Sequence, residues 1–206
     1  MVSLRNRWLF VHVPRTGGNS IQKLLSAHSD DALITDDRRD GIDRFEIAGP
    51  HTPRKHATIT DYRKLLGQES FAQLFKFAVV RSPWERAISA YFAPIRWITL
   101  GRDPEWSVDD FSIHVRQLES MTSFLVVQDR IGVDTIIRYE RFGEDVPRVL
   151  HQIGVTDTLP HINRGAAREP WIEYYRRDPE LVELVADVFC DDVRHFAYER
   201  PALGRG

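Results

Sequence analysis

The chain has 206 residues, 42% hydrophobic and 28% charged, which suits one globular domain with a substantial core. Its formal net charge of −2 argues against a general nucleic-acid binder, which is normally clearly basic. The single cysteine, Cys190, excludes an intrachain disulfide, and no apolar stretch approaches the length of a membrane span.

Met1–Arg7 leads straight into a strand without a signal-peptide pattern, which sets a cytoplasmic expectation. Residues 8–13 are an apolar run of strand length, and 19–27 follow with Ile21, Leu24 and Leu25 at helical spacing. Residues 28–44 are acidic and basic by turns and read as an exposed loop. Phe45–Ala48 reads as a short strand ended by Gly49-Pro50. A helix at about 59–66 carries Ile59, Tyr62, Leu65 and Leu66 on one face, with Thr58 and Asp61 spaced as a capping pair. Residues 75–80 form a second strong strand, and a helix runs from Pro83 to about Phe92. The Trp-, Pro- and Gly-rich segment 94–106 reads as a surface loop, and Ser107 caps a helix to about Leu118. Thr135–Arg138 is a third apolar strand, before a helix with Val146, Val149, Leu150 and Ile153. Asp178-Pro179 opens a last long helix with Leu181, Leu184, Val185, Val188 and Phe189 inward. Cys190, beside Phe189, reads as a buried structural thiol. With no repeat or linker, strands alternating with helices imply a single α/β domain over 1–206 with a mostly parallel sheet flanked by helices.

Two strand-to-helix junctions carry the chemistry. In the first, Pro14-Arg15-Thr16-Gly17-Gly18-Asn19-Ser20 follows the opening strand. Its glycines permit left-handed backbone and converging N–H groups, and the next helix presents its positive end. Arg15 adds a charge, and Thr16, Asn19 and Ser20 add donors. It matches neither Gly-x-x-x-x-Gly-Lys-Ser/Thr nor Gly-x-Gly-x-x-Gly, so an anion cradle and a plain tight turn both stand. In the second, Arg81 ends its strand, where ligands bind in open α/β sheets. Ser82-Pro83-Trp84-Glu85 is spaced as a capping box, and Trp84, Ala87, Ile88 and Tyr91 form an inward stripe. Arg86 and Ser89 fall on an adjacent face, from which Ser89 and Arg81 can reach one anion. The bland alternative pairs Arg86 with a surface acid and packs Ser89.

Together these segments resemble the sulfotransferases that use 3′-phosphoadenosine-5′-phosphosulfate (PAPS), in particular the carbohydrate-type branch with short bacterial members. That branch has Pro-Lys-Thr-Gly-Gly-x-Ser where this chain has Pro14–Ser20, with Arg15 in place of the lysine. It has Val-Arg-x-Pro, then Arg and Ser-x-Tyr, matched by Val80-Arg81-Ser82-Pro83, Arg86 and Ser89-Ala90-Tyr91. Lys55-His56-Ala57-Thr58, Phe75-Lys76-Phe77, Thr122–Leu125, Arg138-Tyr139-Glu140, Leu159–Arg164 and Tyr174-Tyr175 extend the likeness over nearly the whole chain. The resemblance implies a P-loop-NTPase-like three-layer fold in a bacterial protein. It implies that Pro14–Ser20 holds the 5′-phosphosulfate, and that Arg81 and Ser89, with Arg86, hold the 3′-phosphate. It further implies that Arg164 belongs to a loop able to close over the nucleotide. No metal is expected, and the implied acceptor is a hydroxyl of a sugar, glycoconjugate or glycolipid.

Such a transfer needs a base for the acceptor proton, and histidine suits neutral pH. Of eight histidines, His56 ranks first, since it follows Arg54-Lys55, precedes a capped helix and matches the family's base-bearing segment. His51, after Gly49-Pro50, ranks second, and Arg15 completes the catalytic set by stabilising the departing phosphate. His12 alternates within the first strand and reads as a packed or hydrogen-bonded core residue. Trp97, Trp106 and Trp171 suit either sugar stacking or ordinary packing. Two rivals stand beside the enzyme: an ATP- and magnesium-dependent small-molecule kinase, and a nucleotide- or glycan-binding module without transfer activity.

Overall fold

The computed structural model describes residues 1–35, 45–158 and 169–204. In chain order it contains β1 (Val2–Ser3), β2 (Trp8–Val11), α1 (Gly18–Leu25), β3 (Ala32–Thr35), β4 (Phe45–Ala48) and α2 (Ile59–Ala72). There follow β5 (Phe75–Val80), α3 (Pro83–Tyr91), α4 (Pro94–Leu100), α5 (Val108–Gln117) and α6 (Thr122–Leu125). Then come β6 (Val126–Val127), β7 (Arg130–Ile131), β8 (Thr135–Arg138), α7 (Phe142–Gln152), α8 (Trp171–Arg177), α9 (Glu180–Val188) and α10 (Cys190–Phe196). The main sheet has the order β1-β2-β5-β8, with β1 antiparallel and the other three parallel. Its central strands are buried along nearly their whole length, the pattern of a parallel sheet covered on both faces. Among the described residues, no helix is long and apolar enough to cross a membrane.

The chain divides into two compact units. The first, Met1–Val80 with Met121–Ile162, contains the sheet. Trp8, Phe10, Phe77, Val79 and Ile137 of the strands pack there with Ile21, Leu24 and Leu25 of α1 and Val146, Val149 and Leu150 of α7. Because β2 and β5 run the same way, with Val11 opposite Ala78, their C-terminal ends lie at one edge of the sheet. The second unit, Arg81–Ser120 with Asn163–Gly206, is helical. The expected stripe Trp84, Ala87, Ile88 and Tyr91 is buried there with Phe111, Val115, Tyr175, Leu181, Val185 and Phe189. Trp84 Nε1 donates to Val182 O at 3.0 Å, and Tyr175 Oη donates to Trp84 O at 2.9 Å.

Several expectations are corrected. Ala32–Thr35, read as loop, pairs with β4 as an antiparallel strand, while 36–44 lie outside the described residues. Residues 94–100 form α4, because Pro94 sits in its first turn, where a proline's missing N–H is harmless. The 59–66 helix continues to Ala72 across a non-helical Gly67 (φ 74°), and Leu65, expected inward, is 49% exposed. The Thr58–Asp61 capping box forms as expected. The Ser82–Glu85 box does not, since Ser82 makes no side-chain cap and Glu85 pairs with Arg81. Asp178 accepts from Trp106 Nε1 at 3.1 Å, and the helix begins at Glu180. The last long helix breaks at Phe189 (φ −111°, ψ 35°), which resets the helical phase and leaves Cys190 exposed rather than buried.

Candidate active site

The turn after β2 owes its shape to backbone rather than to side chains. Arg15 (φ 68°) and Gly17 (φ 89°) are left-handed, and they alternate with residues of ordinary φ. Such alternation turns successive N–H groups toward one side and makes an anion-binding concavity. Thr16 is fully buried and closes the turn by donating its hydroxyl to Val13 O at 2.9 Å. Gly17, the N-cap of α1, supplies no side-chain cap, so the helix terminus is open to an anion. Arg15 and Asn19 are exposed, while Pro14 and Ser20 are partly so. Tyr139 lies against Gly17, where a Cβ would come within 3.1 Å of its ring.

Gly18 is required for a different reason: a Cβ there would fall 2.1 Å from His12 Cδ2. His12 leaves the end of β2 with only 2% of its surface exposed. Its ring centroid stands 4.4 Å from that of His56, and His56 Nδ1 lies 3.2 Å from His12 O. A carbonyl only accepts, so His56 carries a proton on Nδ1, and whenever the ring is neutral its lone pair is on Nε2. The segment bearing His56 is anchored on both sides. Lys55 Nζ donates to Phe45 O at 2.8 Å and sits 3.6 Å over the Phe45 ring, and buried Gln22 reaches Lys55 O at 3.5 Å. Burial holds the His12 imidazole well below its usual pKa, and the charges of His56 and Lys55 push the same way. His51 is half-buried in the turn after Gly49. It is His56, rather than His51, that is tied to the exit of β2.

In the second unit, Arg81 receives the chain from β5. Its Nη2 pairs with Glu85 Oε1 at 2.8 Å, and both side chains are mostly covered. Ser89 is half-buried two turns along α3 from Arg81. Arg86 is only 2% exposed and donates to Glu119 O at 2.7 Å, with its guanidinium 5.8 Å from the Phe189 ring centre. It therefore reaches a main-chain carbonyl from a buried position.

A profile of the sulfotransferase family matches residues 1–199. The chain belongs to the sulfotransferase family. No curated protein and no solved structure is significantly similar to it. The match runs through both junctions and the His56 segment, so sulfuryl transfer is the activity this sulfotransferase inherits from its family. Arg164, expected to close over the nucleotide, lies outside the described residues, as does His161. Of the three loop tryptophans, Trp97 is buried against Tyr91 and Phe92. Trp106 packs on Tyr174 and Phe111, and Trp171 on Tyr175. Trp97 is buried, whereas Trp106 and Trp171 are half-buried.

Sequence reading missed the contact of His12 with Gly18 and His56, and the capture of Arg81 by Glu85. One signal for the first was available. A second glycine after Gly17 is not needed for the turn's left-handed position, so Gly18 marked a close approach by something else.

Proposed function

We propose that this sulfotransferase moves a sulfuryl group from PAPS to a hydroxyl acceptor, a sugar or glycoconjugate, with His56 as general base. The wider arrangement we assign to it is a single catalytic domain of the P-loop-NTPase-like kind. The observation that carries the reading is the tie between His56 Nδ1 and His12 O beside the glycine turn, which leaves the ring's lone pair on Nε2. The turn itself suits an anionic donor: Arg15 and Gly17 supply the left-handed positions, and α1 begins without a side-chain cap.

When bound, the donor supplies the sulfuryl group and a phosphate leaving group. Pro14–Ser20 then holds the 5′ end through main-chain N–H groups, with the Arg15 charge offsetting what accumulates on the leaving oxygen. Arg81, oriented by Glu85, and Ser89 hold the 3′-phosphate, and Arg86 steadies α3 behind them through its bond to Glu119 O. His56 Nε2 takes the acceptor's proton as the new oxygen–sulfur bond forms, and the old bond breaks toward the phosphate. Arg164 is assigned to nucleotide closure on the family resemblance alone.

The test is thermal shift with adenosine 3′,5′-bisphosphate against ATP-magnesium, followed by an acceptor screen with labelled donor. Stabilisation by the bisphosphate and transfer to a sugar hydroxyl are expected. Stabilisation by ATP-magnesium only would make the protein a kinase, and binding without transfer would make it a binding module. His56→Ala should lower turnover roughly 10²–10⁴-fold with little loss of bisphosphate affinity. The opposite pattern, with His51→Ala inactive and His56→Ala active, would move the base to His51.

A further inference from the structure

His12 is an expensive choice for its position. It is 2% exposed, and its Nδ1 is buried without a hydrogen-bond partner among the described residues. An apolar side chain of similar volume would avoid that desolvation. The ring is also held on three sides. Phe10 stacks behind it with centroids 5.9 Å apart and planes at 19°, Gly18 abuts its edge, and His56 lies 4.4 Å away at 50°. A residue that costs stability where the anion turn meets the base is explained more readily by activity than by folding.

We propose that His12 is a positioning residue for sulfuryl transfer, its ring forming the wall that fixes the rotation of His56. The inference rests on the reading of His56 as the base. The hydrogen bond from His56 Nδ1 to His12 O holds one edge of the imidazole. The His12 ring adds a contact against its face, and the two together set the plane and hence the direction of Nε2. The wall has to stay uncharged, because a cation there would oppose the positive charge His56 acquires with the acceptor proton. Its surroundings provide for that: burial, His56 and Lys55 all disfavour the imidazolium form, against a smaller opposing pull from Gln22.

The experiment reads the tautomer of His56 directly, without donor or acceptor. Long-range ¹H–¹⁵N spectra of labelled protein at about pH 7.5, where a free histidine is neutral, are compared for wild type and His12→Leu. Wild type should show His56 as a single Nδ1–H tautomer, and His12→Leu a mixture of the two. His12→Leu should keep wild-type affinity for adenosine 3′,5′-bisphosphate and melt no lower than wild type. Its turnover on a nitrophenyl glycoside taken from the acceptor screen should fall roughly ten- to a hundredfold, the scale of a misplaced catalytic group. In a His56→Ala background the same substitution should have no further effect, because it acts through His56. If His12→Leu does not fold, His12→Asn, which also lacks the ring, is read the same way. An unchanged tautomer and unchanged turnover, with His56→Ala still inactive, would overturn this inference alone. Full turnover in His56→Ala would instead overturn the base assignment, and this inference with it.

Discussion

The two strand-to-helix junctions follow adjacent parallel strands but are built on opposite principles. After β2 the chain makes its turn with main chain: two left-handed residues, a buried threonine tied to Val13 O and a helix that starts uncapped. After β5 it relies on side chains, with Arg81 aligned by Glu85, a proline in the first turn of α3 and Arg86 sunk onto Glu119 O. Backbone donors are fixed by the fold and tolerate almost no added volume. A guanidinium on a carboxylate can be removed with the helix left standing. The first junction should therefore fail through sterics and folding together, the second through binding alone.

The severest way to break that contrast is Gly18→Ala. The added Cβ would lie 2.1 Å from His12 Cδ2, and the ring is walled in by Phe10 and His56. We expect destabilisation of about 1–3 kcal/mol, as in overpacked cores, measured by denaturant unfolding. Calorimetric titration should show adenosine 3′,5′-bisphosphate binding lost by more than about tenfold, since a 1 Å shift of this turn misaligns every N–H in it. A Gly18→Ala protein as stable and as competent as wild type would mean that the His12 contact does not constrain the turn.

Next in size is Arg81→Gln. A charge-assisted hydrogen bond to phosphate contributes about 1.5–3 kcal/mol, so affinity for adenosine 3′,5′-bisphosphate should fall about 10- to 150-fold. Affinity for 5′-AMP, which has no 3′-phosphate, should hardly change, and the melting temperature should stay close to wild type. Equal losses for both nucleotides would show that Arg81 does not read the 3′-phosphate.

The same contrast explains which features were legible in the sequence. Strands β2 and β5 announced themselves because both faces are buried, so each is a near-continuous apolar run, whereas the edge strand β8 is only partly buried and showed through Ile136 and Ile137. The stripe of α3 followed from helical spacing, and its burial agrees. What failed depended on partners remote from the local pattern. The Ser82–Glu85 spacing satisfied a capping rule, but a full charge at Arg81 claims Glu85 instead. Cys190 inherited its inward placement from an unbroken helix, and the break at Phe189 rotates it outward. Proline and tryptophan made 94–100 look like loop, although the proline occupies a first turn and Trp97 is core. In the candidate site, residue types were legible, whereas the tautomer of His56 and the wall behind it needed a contact between residues 44 positions apart.

A smaller effect is expected in the pH dependence of stability. His12 is held neutral in the fold, with a pKa well below the usual 6.5. Below about 6.5 the unfolded chain therefore binds more protons than the native one, and stability rises with pH. This contribution is fully present above about pH 6.5 and is lost progressively as the pH falls beneath it. Read as the difference between wild type and His12→Leu in urea titrations, the loss isolates His12 from other titrating groups. Parallel pH profiles for the two proteins would mean that His12 is protonated as readily folded as unfolded.

The mildest change is Arg15→Lys, and it bears on whether backbone or charge dominates the first junction. Arg15 is left-handed at φ 68°, and lysine would pay the same conformational penalty, so only the head group differs. If main-chain N–H groups carry most of the grip, affinity for adenosine 3′,5′-bisphosphate should stay within about fivefold of wild type, the scale of one exposed ion pair. Any difference should then appear in turnover, because a compact ammonium and a planar fork meet a leaving oxygen differently. Arg15→Gly completes the set: it relieves the left-handed strain, adding about 1 kcal/mol of stability, and removes the charge, so turnover should fall as the melting temperature rises. An Arg15→Gly protein with undiminished turnover would leave the backbone as the sole source of stabilisation at this junction. A collapse of binding in Arg15→Lys would instead assign that role to the guanidinium.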